Sequence, residues 1–187
     1  DYLLGKNPAD IDISSTFEPE KIMQVLQKAG KIKCIPTGIK YGTISAIFRG
    51  KTFEITTLRA DLKTDGRHAQ VAFTTDVKLD ASRRDFTINA LYMNKHGKIY
   101  DYFNGLLDLK NKNLHFINDA EKRINEDYLR ILRYFRFLAK LGWQPDNKIL
   151  KICAKLAPNL KNISAERIRD ELFKILAAPF AVSTVKL

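Results

Sequence analysis

The hydrophobic period of this sequence changes once, and that change limits the fold more than any other feature. Up to about residue 103 apolar residues recur mostly at every second position; from about Ala120 they recur every third or fourth. Alternation marks strands with one buried face, and the longer spacing marks amphipathic helices. "DIDIS" (10–14), "GTISAIFRG" (42–50), "KTFEITTLR" (51–59), "TINALYMN" (87–94) and "KIYDYF" (98–103) read as strands. An Arg-Gly-Lys turn joins the second and third, and "KHG" joins the last two. "PEKIMQVLQKAG" (19–30) reads as a helix with Ile22, Val25, Leu26 and Ala29 on one side and Gly30 as its stop. One helix is expected from about Ala120 to Gly142, ended by Trp143-Gln144-Pro145, with others over 147–157 and 165–177. The polar stretch 60–82, around "TDGRHA", is too long for an ordinary connection and reads as functional or mobile. The expectation is an α+β chain, with a mixed or antiparallel sheet over 1–116 and an all-helical part over 117–187.

Charge narrows the partners. The net charge is +11, and it is uneven: residues 1–116 carry 18 basic and 13 acidic groups, whereas the shorter 117–187 carries 14 and 8. Such a balance favours a polyanion, most often nucleic acid, although solubility alone also uses surface charge. No apolar run approaches the roughly 20 residues that span a bilayer. The N-terminus has neither a basic n-region nor an apolar h-region, so no membrane association is expected and a cytoplasmic location is. Cys34 and Cys153 show no CxxC spacing and His68, His96 and His115 are scattered, so reduced thiols and no zinc site are expected.

Three groups of residues carry chemistry. Asp10 and Asp12 alternate along a strand, so both carboxylates point at one spot. Like charges there cost energy unless a cation neutralises them, and oxygen ligands of this kind select Mg²⁺. An exposed edge strand produces the same string. Glu54, mid-strand between Phe53 and Ile55, is a third carboxylate that a neighbouring strand could bring beside the pair. "RRDFTINAL" (83–91) offers phosphate donors and a sugar-hydroxyl acceptor, or simply a charged loop entering a buried segment. In "INEDYLRILRYFRF" (124–137), Glu126 and Asp127 precede Arg130, Arg133 and Arg136 at helical spacing. That stripe is either a row of ion pairs or a face turned to a ligand.

Taken in order, "LLGKNPADIDIS", "KYGTI", "FEITTLR", "DGR", "RRDFTINAL", "DYFNGLLDL", "EDYLRILRYFRF" and "SAERIRDEL" resemble the bacterial-type (class II) tRNA nucleotidyltransferases and their poly(A) polymerase relatives. The resemblance runs from Asp1 to about Leu176 and implies a polymerase-β-like nucleotidyltransferase head followed by a helical neck. It implies that Asp10 and Asp12 are metal-binding catalytic carboxylates, with Glu54 the third, holding two Mg²⁺ ions. Arg83, Arg84 and Asp85, assisted by Asn89, would contact the phosphates and ribose of CTP and ATP. Asp101, Gly105 and Asp108 would form a hinge, Glu126, Asp127 and Arg130 would read the incoming base, and Glu166 and Arg167 would brace that reader. The implied activity is template-independent addition of CMP and AMP to the 3′ end of tRNA. "GIKYGTISAIFRGKTFEITTLR" looks more like the CCA-adding group than the polyadenylating one, and 60–82 would hold a loop that lets the pocket switch from CTP to ATP. Polyadenylating, A-adding and CC-adding members are the alternatives within the family. Members of the family carry a Gly-Gly and a Val-Arg just before the position of Asp1, and body and tail domains after the neck. The expectation is therefore the catalytic half of a longer enzyme, N-terminally truncated, or else a catalytically incomplete RNA-binding fragment.

Overall fold

The computed structural model describes residues 2–8, 11–64 and 69–187. The chain packs as two units, Asp1–Arg83 and Arg84–Leu187, and the boundary falls inside the Arg-Arg-Asp tripeptide.

In the first unit a four-stranded mixed sheet forms from β1 (Asp12–Ser15), β2 (Lys33–Gly38), β3 (Thr43–Phe48) and β4 (Lys51–Thr57) in the order β1-β4-β3-β2. β1 runs parallel to β4, and the other pairs are antiparallel. Alternation gives the sheet one apolar face, where Ile44, Ala46 and Ile55 pack with Ile22 of α1 (Pro19–Ala29). Each isoleucine so buried contributes about 1.5–3 kcal/mol. The other face is polar: Thr43 and Thr56 share a hydroxyl hydrogen bond of 3.1 Å, and Thr37 and Ser45 one of 2.9 Å. β2, which carries Pro36, has no counterpart among the expected strands. It is an edge strand whose register shifts between Ile35 and Gly38, and proline is tolerated at sheet edges and at such irregularities.

The polar stretch after β4 is not a bare connection. Its described residues form an antiparallel hairpin, β5 (Arg59–Thr64) with β6 (Ala69–Phe73), and then α2 (Val77–Ser82). Asp76 starts α2 by accepting from the Lys78 and Leu79 amides at 2.7 and 3.4 Å. Residues 65–68 of "TDGRHA" lie outside the described residues.

The second unit holds a short hairpin, β7 (Leu91–Met93) with β8 (Ile99–Asp101), and the helices α3 (Gly105–Asn111), α4 (Ala120–Glu126), α5 (Leu129–Leu141), α6 (Asn147–Leu156), α7 (Ala165–Leu176) and α8 (Ala181–Val185). Residues 87–89, expected as strand, form a 3-10 turn. Around it, residues 85–87 pair with 115–117 through Ile117 N to Asp85 O and Thr87 N to His115 O. Phe86 is thereby driven into an aromatic cluster with Phe116, Tyr134 and Phe137, at centroid distances of 4.7, 6.3 and 5.1 Å. Such ring pairs add about 0.5–1.5 kcal/mol each beyond their buried area.

The single helix expected over 120–142 is two. Asp127 is extended, at φ −156° and ψ 106°, and its carboxylate accepts from the Leu129 amide at 3.1 Å. Asp119 and Asp146 do the same for α4 and α6, accepting from Lys122 N and Lys148 N. An aspartate whose side chain satisfies an open amide starts a helix rather than continuing one. Among the described residues no helix is long and apolar enough to cross a membrane, and Cys34 and Cys153 are free.

Candidate functional site

Asp12 and Glu54 are directly paired across the parallel β1–β4 ladder. Residues in register share a face, so both exposed carboxylates stand on the polar side of the sheet. This is the neighbour relation expected of the third carboxylate. Asp10 lies outside the described residues. Among the described residues no group of three His, Cys, Asp or Glu side chains gathers around one point, so the described donor set is this pair. Two hard oxygen donors side by side suit a divalent cation of the Mg²⁺ type.

The Arg-Arg-Asp residues separate by role. Arg83 closes α2 and donates through Nε to Asp80 at 2.9 Å. Arg84 turns into the second unit, donating to the Tyr92 hydroxyl at 3.0 Å and the Asn89 carbonyl at 3.1 Å, with its guanidinium over the Tyr92 ring. Asp85 is only 6% exposed. Its Oδ1 accepts from the Phe86 amide at 2.9 Å and Asn89 Nδ2 at 3.0 Å, and its Oδ2 accepts from both Nε and Nη2 of Arg133. Burial alone would raise the Asp85 pKa, but the Arg133 charge and these hydrogen bonds outweigh it and hold the carboxyl below its usual range.

Arg133 stood in the stripe without a separate role, and it proves to be the partner of the most buried acid of the candidate site. Arg133→Met should destabilise the protein by about 3 kcal/mol near neutral pH, because it leaves a buried charge without its counter-ion. Asp85 has a depressed folded-state pKa, so its contribution is present above the unfolded value of 3.8 and is lost as pH falls through the folded value. The gap between wild type and variant in urea unfolding should therefore close below about pH 4. A gap that stays constant into acid would deny the pair that role.

The stripe is not one free row of side chains; each arginine meets an acid. Arg130 donates to Glu126 at 2.5 Å, Arg133 to Asp85, and Arg136 through Nη1 to Oε1 of the buried Glu171 of α7 at 3.4 Å. Burial, and next the Arg133 charge, lower the Arg136 pKa. Asp127 accepts from Arg167 of α7 at 2.7 Å, a direct ion pair. The Glu166 side chain, exposed in the first turn of α7, makes no hydrogen bond or ion pair among the described residues. Arg123, absent from the sequence reading, is 8% exposed and joins Glu126 to the backbone of Arg84.

Asp101, Gly105 and Asp108, expected as a hinge, form a tight local structure. Asp101 accepts from the amides of Phe103, Gly105 and Leu106, which starts α3. A Cβ on Gly105 would run into the Thr87 carbonyl, so only glycine fits. Asp108 accepts from the Thr87 hydroxyl at 2.6 Å and pairs with His115 Nδ1 at 2.8 Å.

Residues 1–115 match the family model described as the poly(A) polymerase head domain. The chain belongs to that family. Residues 142–187 match a second family model, described as a probable RNA- and SrmB-binding site of polymerase A. Among similar members, the chain is 49% identical over 179 residues to the human protein named CCA tRNA nucleotidyltransferase 1, mitochondrial, covering 94% of this chain and 41% of that one. It is 39% identical over 189 residues to the CCA-adding enzyme of Leuconostoc mesenteroides, covering 100% of this chain and 46% of the relative. A solved structure of the Bacillus stearothermophilus CCA-adding enzyme in complex with CTP superposes with a TM-score of 0.88 at 35% identity, over 98% of this chain and 44% of that one. The chain thus spans less than half the length of these relatives, and its fold is that of their nucleotidyltransferase head and the helices beside it.

Proposed function

We propose that the protein is a template-independent nucleotidyltransferase that adds CMP and AMP, from CTP and ATP, to the 3′ end of tRNA. In this reading residues 1–116 form the catalytic head and 117–187 the neck. The observation that carries it is the α4–α5 junction, where the protein itself supplies an acceptor, Asp127, and a donor fork, Arg130. Cytosine N4 and adenine N6 are amines that donate to a carboxylate; cytosine N3 and O2, or adenine N1, accept from a guanidinium. Uracil and guanine bring an oxygen where the amine is required, and a buried acceptor facing an acceptor is strongly rejected. Complexes of relatives with CTP and with ATP support the two substrates.

Arg83 and Arg84 would supply phosphate donors, and Asp85 and Asn89 hold the loop that carries Arg84. Asp10, Asp12 and Glu54 would hold Mg²⁺, which when bound supplies activation of the 3′-hydroxyl and neutralisation of charge on the α-phosphate. Asp101, Gly105 and Asp108 act as the rigid base of a hinge, and Arg167 and Glu166 as the brace of the reader. The polyanion that the basic balance calls for is then tRNA. The reading fits a compartment where tRNA is matured, the cytoplasm or, as the names of the animal relatives say of them, the mitochondrion.

The test is incubation of the full-length protein with tRNA lacking its 3′ end and labelled CTP and ATP, with the product sized and sequenced. Addition of C, C and A in that order is expected. A ladder of A residues, or arrest after C or A alone, would replace this reading with a polyadenylating or partial one, and no product at all would remove it.

A further inference from the structure

We propose that Arg123 is a positioning residue that ties the base-reading junction to the loop carrying Arg84, so that the two ends of a bound nucleotide are gripped in one fixed relation. The inference rests on the function proposed above and adds a residue to it.

Arg123 sits in the last turn of α4 with 8% of its surface exposed. Its guanidinium works in two directions. Nη1 donates to Glu126 Oε2 at 2.5 Å, and Nη2 donates to the backbone carbonyl of Arg84. Its own carbonyl accepts from Arg130 Nη1 at 2.6 Å, and that same nitrogen donates to Glu126 Oε2 at 2.5 Å. Glu126 is therefore shared by two guanidiniums, one buried and anchored on the Arg84 loop, the other at the reading position. Arg84 is in turn held by Asn89 and Tyr92, so the anchor point does not drift.

The chemistry explains why arginine is used. A planar fork with five donors can hold a carboxylate and a carbonyl in different directions at once; an ammonium is a point charge on a flexible stem and can satisfy one of them well. Glu126, which the resemblance assigned to the base, becomes here the acid that fixes the angle of the Arg130 fork. A small tilt of that fork is costly, because displacing a positioning group by about 1 Å can lower a rate about a hundredfold.

The experiment measures kcat/KM for CTP, ATP and UTP with the full-length wild type, Arg123→Lys, Glu126→Gln and the double variant, together with thermal unfolding and equilibrium binding of CTP and UTP. Arg123→Lys is expected to lower kcat/KM for CTP and ATP about ten- to hundredfold and to reduce the CTP/UTP ratio, because the Arg130 fork is no longer aimed. The double variant should be no worse than the poorer single one, since both act through Arg130. A selective wild type with an equally selective Arg123→Lys overturns this inference alone, as do strictly additive losses. If Arg123→Lys fails to fold, Glu126→Gln decides: an unchanged CTP/UTP ratio there overturns the proposal. A wild type with no preference for CTP over UTP overturns the proposed function, and this inference with it.

Discussion

Asp12→Asn is expected to abolish measurable CMP and AMP incorporation by the full-length protein while leaving its unfolding transition in place. Asp12 stands beside Glu54 in the parallel β1–β4 register, on the polar face of the sheet and away from the Ile22, Ile44, Ala46 and Ile55 core. Removing one of two adjacent carboxylates relieves repulsion in the empty protein, so folding does not suffer. Charge stabilisation by a bound divalent cation is worth several kcal/mol in the transition state, and losing it corresponds to about a thousandfold in rate. Glu54→Gln should fall in the same direction, because it alters the same donor set. Steady-state incorporation in Mg²⁺, with circular dichroism as the folding control, measures both. Near-normal incorporation by Asp12→Asn would dismiss the carboxylate pair as catalytic.

The second large effect is on nucleotide choice. Asp127→Ala should lower the CTP/UTP ratio of kcat/KM about tenfold or more, since each unpaired buried polar group costs about 1–3 kcal/mol. The structure adds a complication that the spacing of the sequence conceals: Asp127 also starts α5 through the Leu129 amide and pairs with Arg167. Alanine therefore removes a helix cap, worth about 0.5–2 kcal/mol of stability, along with the proposed reading group. Asp127→Asn separates the two. Asparagine caps as well as aspartate does, yet its amide can donate to an oxygen where the carboxylate could only accept. The Asn variant should unfold near the wild-type temperature and shift preference toward UTP. Unchanged selectivity in both variants would leave the stripe as an ion-paired helix face and nothing more.

What depends on near neighbours was legible along the chain. Solvent on one side and core on the other imprint a period, so α1, the β3–β4 hairpin, α6 and α7 were legible from spacing, and so was the change from strands to helices. The ordered motifs likewise sufficed for the family. Some local signals were present and outweighed: an aspartate that caps looks like one more charge in a helical run, so α4 and α5 read as one helix until Asp127 was found extended. β2, with Pro36 inside it, was not legible from spacing, because whether a strand lies at a sheet edge, where proline is tolerated, is not a local property.

Which charge meets which is a matter of long-range packing. Asp12 meets Glu54 through a parallel pairing, Asp85 meets Arg133 because Phe86 is buried in the aromatic cluster, and Arg123 reaches the Arg84 carbonyl for the same reason. Those partners are 39 to 48 residues apart along the chain. A guanidinium carries the same charge toward any nearby acid, so spacing shows that arginines line a helix but not what each one holds. That is settled by where the apolar side chains must go, and the polar partners follow from the packing they impose.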